Sequence, residues 1–292
     1  MSISIGIGLA FVAMLCWGFG DFLIQRSTRK IGNWETLFVI TAIGALVLIP
    51  FVWKSLPELF MNSDRTGLWI LVTASTVLFF AALLDLEALR RGKLSIVEPI
   101  WSFEIVSAGF LGFFVLREHI SWMQFGLIVL LIVGLVLTAF RERVIRKEFL
   151  LEKGVMVALV AALAMGCSNF LLGWGGRVTD PILTKFFSDL VLALLSGGYL
   201  LFRGRIRNVY RDLKNHSALL IPMAISDNAA WIAYIFSMSL VSIAVATALS
   251  ESYIIITVLL GLFINKERLQ THQKIGLVVA LTAAIVLAAI TA

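Results

Sequence analysis

Along most of the chain, apolar residues do not alternate with polar ones at the strand period or fall on one helical face. They come in nearly unbroken blocks of about twenty residues, parted by short basic stretches. A helix needs about that many apolar residues to cross a hydrocarbon core of roughly 30 Å. Ten such blocks can be marked, at about 5–25, 35–53, 67–89, 94–116, 121–140, 154–173, 181–202, 217–239, 242–264 and 272–290. The pattern predicts an all-α integral membrane protein of ten transmembrane helices. Few residues remain outside the blocks, so any chemistry has to occur within the helix bundle or at its mouths. The first block has no basic residues ahead of it and no cleavage site followed by a soluble chain, and reads as a retained helix rather than a signal peptide.

Composition agrees. Hydrophobic residues make up 60% of the chain and charged ones 14%, against roughly a quarter charged in a soluble domain. Cys16 and Cys167 lie inside the first and sixth blocks. Two separated thiols make neither a disulfide framework nor a zinc site, and both read as small packing residues. The net charge of +6 is scattered over short loops, which reads as a topology signal and not as a nucleic-acid surface.

The chain repeats itself. WGFGDFL (17–23) returns as MGCSNFL (165–171), matching at Gly18/Gly166, Phe22/Phe170 and Leu23/Leu171. GFFVLREHI (112–120) returns as GLFINKERL (261–269), with Gly112/Gly261, Phe114/Phe263, Arg117/Lys266 and Glu118/Glu267 in register. Each half, 1–145 and 146–292, therefore carries five spans, and an odd number turns the second copy over relative to the first. Loop charge tests this separately. Loops after odd-numbered spans (RSTRK, RRGK, RERVIRKEFLLEK, RGRIRNVYRDLKNH, NKERLQTHQK) hold 19 of the 24 Lys and Arg residues. Corresponding loops change character between halves, RSTRK against GWGGRVTD and RRGK against LVS. With basic loops cytoplasmic, the expectation is a multi-pass protein of the inner or plasma membrane with both termini outside the cytoplasm.

Two five-span halves, the Trp-Gly…Phe stretch of span one and a Glu-bearing turn after spans four and nine resemble the drug/metabolite transporter superfamily, EamA type. The likeness covers nearly the whole chain. It implies a carrier of small metabolites, such as amino acids, nucleotide-linked sugars or organic cations, working through a central cavity between the halves. Three features depart from that pattern. Members of the superfamily commonly keep both termini in the cytoplasm. The Gly that usually precedes the loop Glu is Arg117 in one half and Lys266 in the other. Where the small multidrug branch has a membrane Glu in its first helix, this chain has Trp17, with Asp21 one turn later.

Glu104, Asp189, Asp227 and Glu251 fall near the middles of their spans. A carboxylate at mid-bilayer costs roughly 2.5–3.5 kcal/mol on insertion scales, so four facing lipid would cost on the order of 10 kcal/mol. That rivals the stability of a whole domain. They are expected to face a wet cavity, to pair, or to be protonated. Lys185, one turn from Asp189, is the cation at hand. Helical spacing puts Asp227, Trp231, Tyr234 and Met238 on one face, Thr247, Ser250 and Glu251 on another, and Glu98, Trp101 and Ser102 on a third, with Glu104 on a different flank. Pro99 removes a backbone donor near the start of its helix. Acids beside aromatic rings suit a cationic or zwitterionic ligand, and a desolvated carboxylate can carry a proton. The candidate ligand-binding residues are Trp17, Asp21, Glu98, Trp101, Glu104, Asn169, Asp227, Trp231, Tyr234 and Glu251. Glu98 has a second reading as a partner of Arg90, Arg91 or Lys93. Asp85 and Glu87 read as neutralising and snorkelling groups at that interface. Glu118 and Glu267 read as capping residues of their turns.

No paired-histidine metal motif, nucleophile elbow or convincing dyad is present, so no catalytic residue, metal or cofactor is expected. A diaspartyl protease using Asp189 and Asp227 is the remote enzymatic alternative, and neither aspartate is followed by the glycine such enzymes carry. The expectation is a secondary carrier that moves a small-molecule substrate by alternating access, with protons as candidate coupling ions. The other partner is the lipid bilayer, nucleic acid is not one, and monomer and homodimer both stay open. An uncoupled facilitator and a lipid-linked flippase are the open alternatives.

Overall fold

The computed structural model describes residues 2–61, 65–91, 100–139, 155–256, 259 and 269–292. These form helices and short connections, with no strand among the described residues. Seven helices are long and apolar enough to cross a membrane: α1 (Ser2–Ile31), α2 (Asn33–Val52), α4 (Thr66–Arg91), α7 (Val155–Val178), α8 (Pro181–Phe202), α10 (Ser217–Leu240) and α12 (Thr271–Thr291). Three shorter apolar helices are α5 (Phe103–Val115), α6 (Trp122–Ala139) and α11 (Ile243–Ser250). All ten lie where apolar blocks were marked. Two further short helices, α3 (Ser55–Met61) and α9 (Ile206–Asn215), sit in connections read from sequence as loops.

Boundaries depart from expectation in two instructive places. Helix α1 runs past residue 25 to Ile31, so Arg26, Arg29 and Lys30 are helical. Basic residues are good helix formers and complement the negative end of the helix dipole. Helix α7 runs through GWGGR to Val178. A Cβ added to Gly173 would lie 2.9 Å from Ile243, and one on Gly175 would lie 2.9 Å from Leu71. These glycines are therefore helical sites of close interhelical approach and not loop residues.

The helices pair reciprocally. Helix α1 packs on α10 and α11, and α7, its counterpart in the second half, packs on α4 and α5. Contacts of α2 with α10 are matched by contacts of α8 with α4, while α2–α8, α5–α11 and α6–α12 join corresponding helices to each other. In the last pair the backbones touch: a Cβ on Gly276 would lie 2.7 Å from the Gly134 carbonyl oxygen, and one on Gly134 would lie 2.6 Å from Ala280 N.

Ion pairs show which ends gather. Arg205, just before α9, lies 2.7 Å from Glu35 in the first turn of α2. Asn33, at the start of α2, donates to Glu87 (2.6 Å), which also takes Arg90 and Arg91. The end of α1, the start of α2, the end of α4 and the basic helix α9 thus share one end of the bundle. At the other end, Gln124 meets Thr291 at 3.1 Å. There too Glu118 accepts the N–H of Ile243 (3.0 Å) and pairs with Arg177 (2.6 Å). Arg177 in turn donates to the carbonyls of Met238 and Val241 at 2.8 Å. Glu118 of the first half therefore caps α11 of the second, a longer reach than the local turn cap expected. Glu267 lies outside the described residues.

Candidate functional site

At the middle of the bundle the helices line a cavity of about 110 Å³ to which both halves contribute. From the first half come Trp17 and Asp21 of α1, Thr41 of α2, Asp85 of α4, Trp101, and Glu104 of α5. From the second come Asn169 of α7, Lys185 and Asp189 of α8, Asp227 and Trp231 of α10, Glu251 and Tyr253. A water needs roughly 10–15 Å³, so the space holds several waters or one small metabolite.

Eight of the ten expected residues line this one space. Glu98 lies outside the described residues. Tyr234 sits behind the wall. It is fully buried, its ring centroid 5.1 Å from that of Trp17. Its hydroxyl meets Thr247 Oγ1 at 2.6 Å. That oxygen already donates to the Ile243 carbonyl (2.7 Å), so the tyrosine is the donor. Its place is to hold Trp17. Trp101 and Glu104, read as lying on different flanks, both reach the cavity: the backbone stays helical through Ser102, and residues three apart on a helix are neighbours.

Asp85 corrects the sequence reading: it lines the cavity and does not snorkel at the interface. Among the described residues, it is Glu87 that pairs with Arg90 and Arg91. Residues two apart on a helix point in different directions, so Asp85 and Glu87 cannot serve one interface. Leu78, Ala82 and Asp85 share a face at i, i+4, i+7, and all three line the space. That spacing is the signal that could have found Asp85.

Each acid has a distinct setting. Glu104, 6% exposed, accepts from Asn169 Nδ2 at 3.0 Å. Asp227 lines the same space beside Trp17 and Trp231. Asp85 and Glu251 are close enough to Glu104 for their charges to act on it. Asp189 is neutralised by Lys185, whose Nζ is 2.5 Å from both carboxylate oxygens and 2.8 Å from Asn228 Oδ1. An aspartate already held by lysine is not one of a pair of carboxylates sharing a proton. Around the acids, Trp17 meets Trp231 (5.3 Å), Tyr234 and Tyr253 (6.5 Å) in T-shaped contacts.

The cavity is thus acidic and aromatic, with one buried lysine among the described residues that line it, already engaged. A family model of EamA-like transporters matches the chain twice, over residues 4–140 and 152–289. The chain belongs to the EamA-like transporter family. One solved structure, a crystal structure described simply as that of a protein, has 14% sequence identity to this EamA-like chain; the alignment covers 98% of each, with a TM-score of 0.73. At that identity the likeness is one of fold. A search of curated proteins finds no match. The family makes the protein a membrane transporter, and its members are not enzymes.

Proposed function

We propose that this EamA-like protein is a secondary carrier for a small cationic or zwitterionic metabolite, such as an amino acid or organic amine. The ligand binds in the central cavity, and access alternates as one half rocks against the other. The observation that carries this reading is the convergence of Asp21, Asp85, Glu104, Asp227 and Glu251 on one space lined from both halves. Like charges crowded into one cavity between apolar helices need a neutraliser. A cationic ligand supplies it in one state and protons in another, which makes exchange of substrate for protons the natural coupling. The small volume favours this over a flippase for lipid-linked molecules.

The test is counterflow and uptake of labelled amines and amino acids in proteoliposomes of the purified protein, with and without a pH gradient. Saturable exchange of a cation or zwitterion, accelerated by the gradient, is the expected result. Flux indifferent to the gradient would favour an uncoupled facilitator, and exchange of long-chain amphiphiles alone would favour a flippase.

The reading takes the ten apolar helices as ten spans in two halves, 1–145 and 146–292, turned over relative to each other; the reciprocal helix pairing supports it. It sets the end that gathers Arg29, Lys30, Arg90, Arg91 and α9 on the cytoplasmic side of the inner or plasma membrane. Both termini are then external. A phosphatase reporter fused after Ala292 is expected to be active, and activity from a cytoplasmic fluorescent reporter at that position would reverse the orientation.

A further inference from the structure

Two residues that line the cavity each carry a buried polar atom with no hydrogen-bond partner among the described residues: Asn169 Oδ1 and Trp101 Nε1. Their residues are 1% and 3% exposed. The amide of Asn169 is oriented by chemistry. A carboxylate only accepts, so the atom 3.0 Å from Glu104 Oε2 is the donating nitrogen. The remaining Oδ1 is an acceptor lacking a donor, and the indole N–H of Trp101 is a donor lacking an acceptor. Buried groups of this kind are rarely left unmet, and each such exception calls for an account. Their opposite characters call for one ligand that brings both an N–H and an oxygen.

Glu104 defines the nitrogen further. It stands beside Asn169 with one carboxylate oxygen engaged, so an ammonium there gains charge-assisted hydrogen bonds from both residues. A quaternary ammonium would need ring faces turned toward it instead. Trp17 meets three neighbouring rings in T-shaped contacts at 5.1–6.5 Å and is not part of an open box.

We infer that the site selects a protonated primary or secondary amine carrying an oxygen acceptor close by, the N–H groups shared by Glu104 and Asn169 Oδ1 and the oxygen taken by Trp101 Nε1. This inference rests on the cavity being the transport site. It names what that site distinguishes, which is the presence of N–H bonds and not merely positive charge.

Two methylation ladders test it. Ethanolamine through its mono-, di- and trimethyl forms, and glycine through sarcosine and dimethylglycine to betaine, keep the oxygen while removing N–H groups one by one. Affinity is measured as thermal stabilisation of the purified full chain and as inhibition of counterflow. It is expected to fall at least about tenfold overall in a ladder, with the last N–H lost at the fully methylated member. Ethylamine, which lacks the oxygen, is expected to bind more weakly than ethanolamine. Trp101→Phe keeps the ring and removes the N–H, and is expected to erase the difference between ethylamine and ethanolamine while leaving the methylation dependence in place. Ligand-free unfolding of that variant reports whether the wall has shifted. Choline or betaine binding as tightly as the primary amine would overturn the inference and leave the carrier reading standing. So would a well-folded Trp101→Phe protein that still prefers ethanolamine. Failure of every member of both ladders to bind or compete would overturn the inference and the cationic or zwitterionic reading together.

Discussion

Lys185→Met is expected to destabilise the protein by about 3–5 kcal/mol, the usual cost of removing one partner from a buried pair. Lys185 and Asp189 are 4% and 3% exposed. The ammonium also supplies the donor to Asn228 Oδ1, and Asn228 Nδ2 in turn donates to the carbonyls of Ile40 (3.0 Å) and Ala224 (2.8 Å). The network therefore binds α8 to α10 and α2. Gly44 of α2 is cut to fit it, since any Cβ there would collide with Asn228 Oδ1 and Asp189 Oδ2. Without the lysine, a buried carboxylate loses its cation and a buried amide oxygen loses its donor. Lys185→Met combined with Asp189→Leu is expected to recover most of the loss, because a whole pair replaced by apolar groups is often neutral. Denaturation in detergent, read as a double-mutant cycle, measures the coupling. A single variant as stable as the parent would remove the pair from the scaffold. Recovered stability with transport still absent would assign Lys185 to the chemistry of the cavity.

The repeat was legible because close backbone contact leaves a mark in residue type. Gly18 and Gly166, matched in sequence, both stand where a side chain has no room. A Cβ on Gly18 would lie 2.8 Å from Ile256, and one on Gly166 would lie 2.6 Å from the Glu104 carbonyl oxygen and strike Ser107. The acids at mid-span were legible for an energetic reason: lipid exposure was too costly, and Glu104, Asp227 and Glu251 do meet at one cavity.

What escaped was depth and direction. A helical stripe says which face a residue occupies but not whether it ends in the cavity or behind it. Tyr234 shared a stripe with Asp227 and Trp231, yet its hydroxyl is held by Thr247. Asp85 was grouped with Glu87 by nearness to Arg90 and Arg91, where spacing along the helix would have separated them. Helix α9 was hidden by its charge, although Ile206, Val209 and Leu213 recur at three and four residues and turn inward against the core. The cap given by Glu118 to Ile243 could not be read from one chain, because it joins residues 125 positions apart.

Glu251→Gln is expected to abolish gradient-driven accumulation while leaving the fold intact. Glu251 is 4% exposed and stands at the end of α11, where the helix gives way to a turn before Tyr253. The substitution keeps the volume and removes the titratable oxygen. Glu104 is tied to Asn169 and suited to holding substrate, which leaves Glu251, an acid of the same cavity, to load and release the proton in the proposed exchange. A proton moving down a pH gradient of one unit supplies about 1.4 kcal/mol, enough to hold roughly a tenfold substrate gradient. The variant is expected to exchange substrate in counterflow, so that the binding site is seen to be present, and yet to reach no more than equal concentrations on the two sides whatever gradient is imposed. The readout is the steady-state accumulation ratio in proteoliposomes at imposed pH differences of zero and one unit, with the unfolding midpoint as a control for folding. Accumulation that still rises with the gradient would take Glu251 out of the coupling and move the proton to another of the cavity acids.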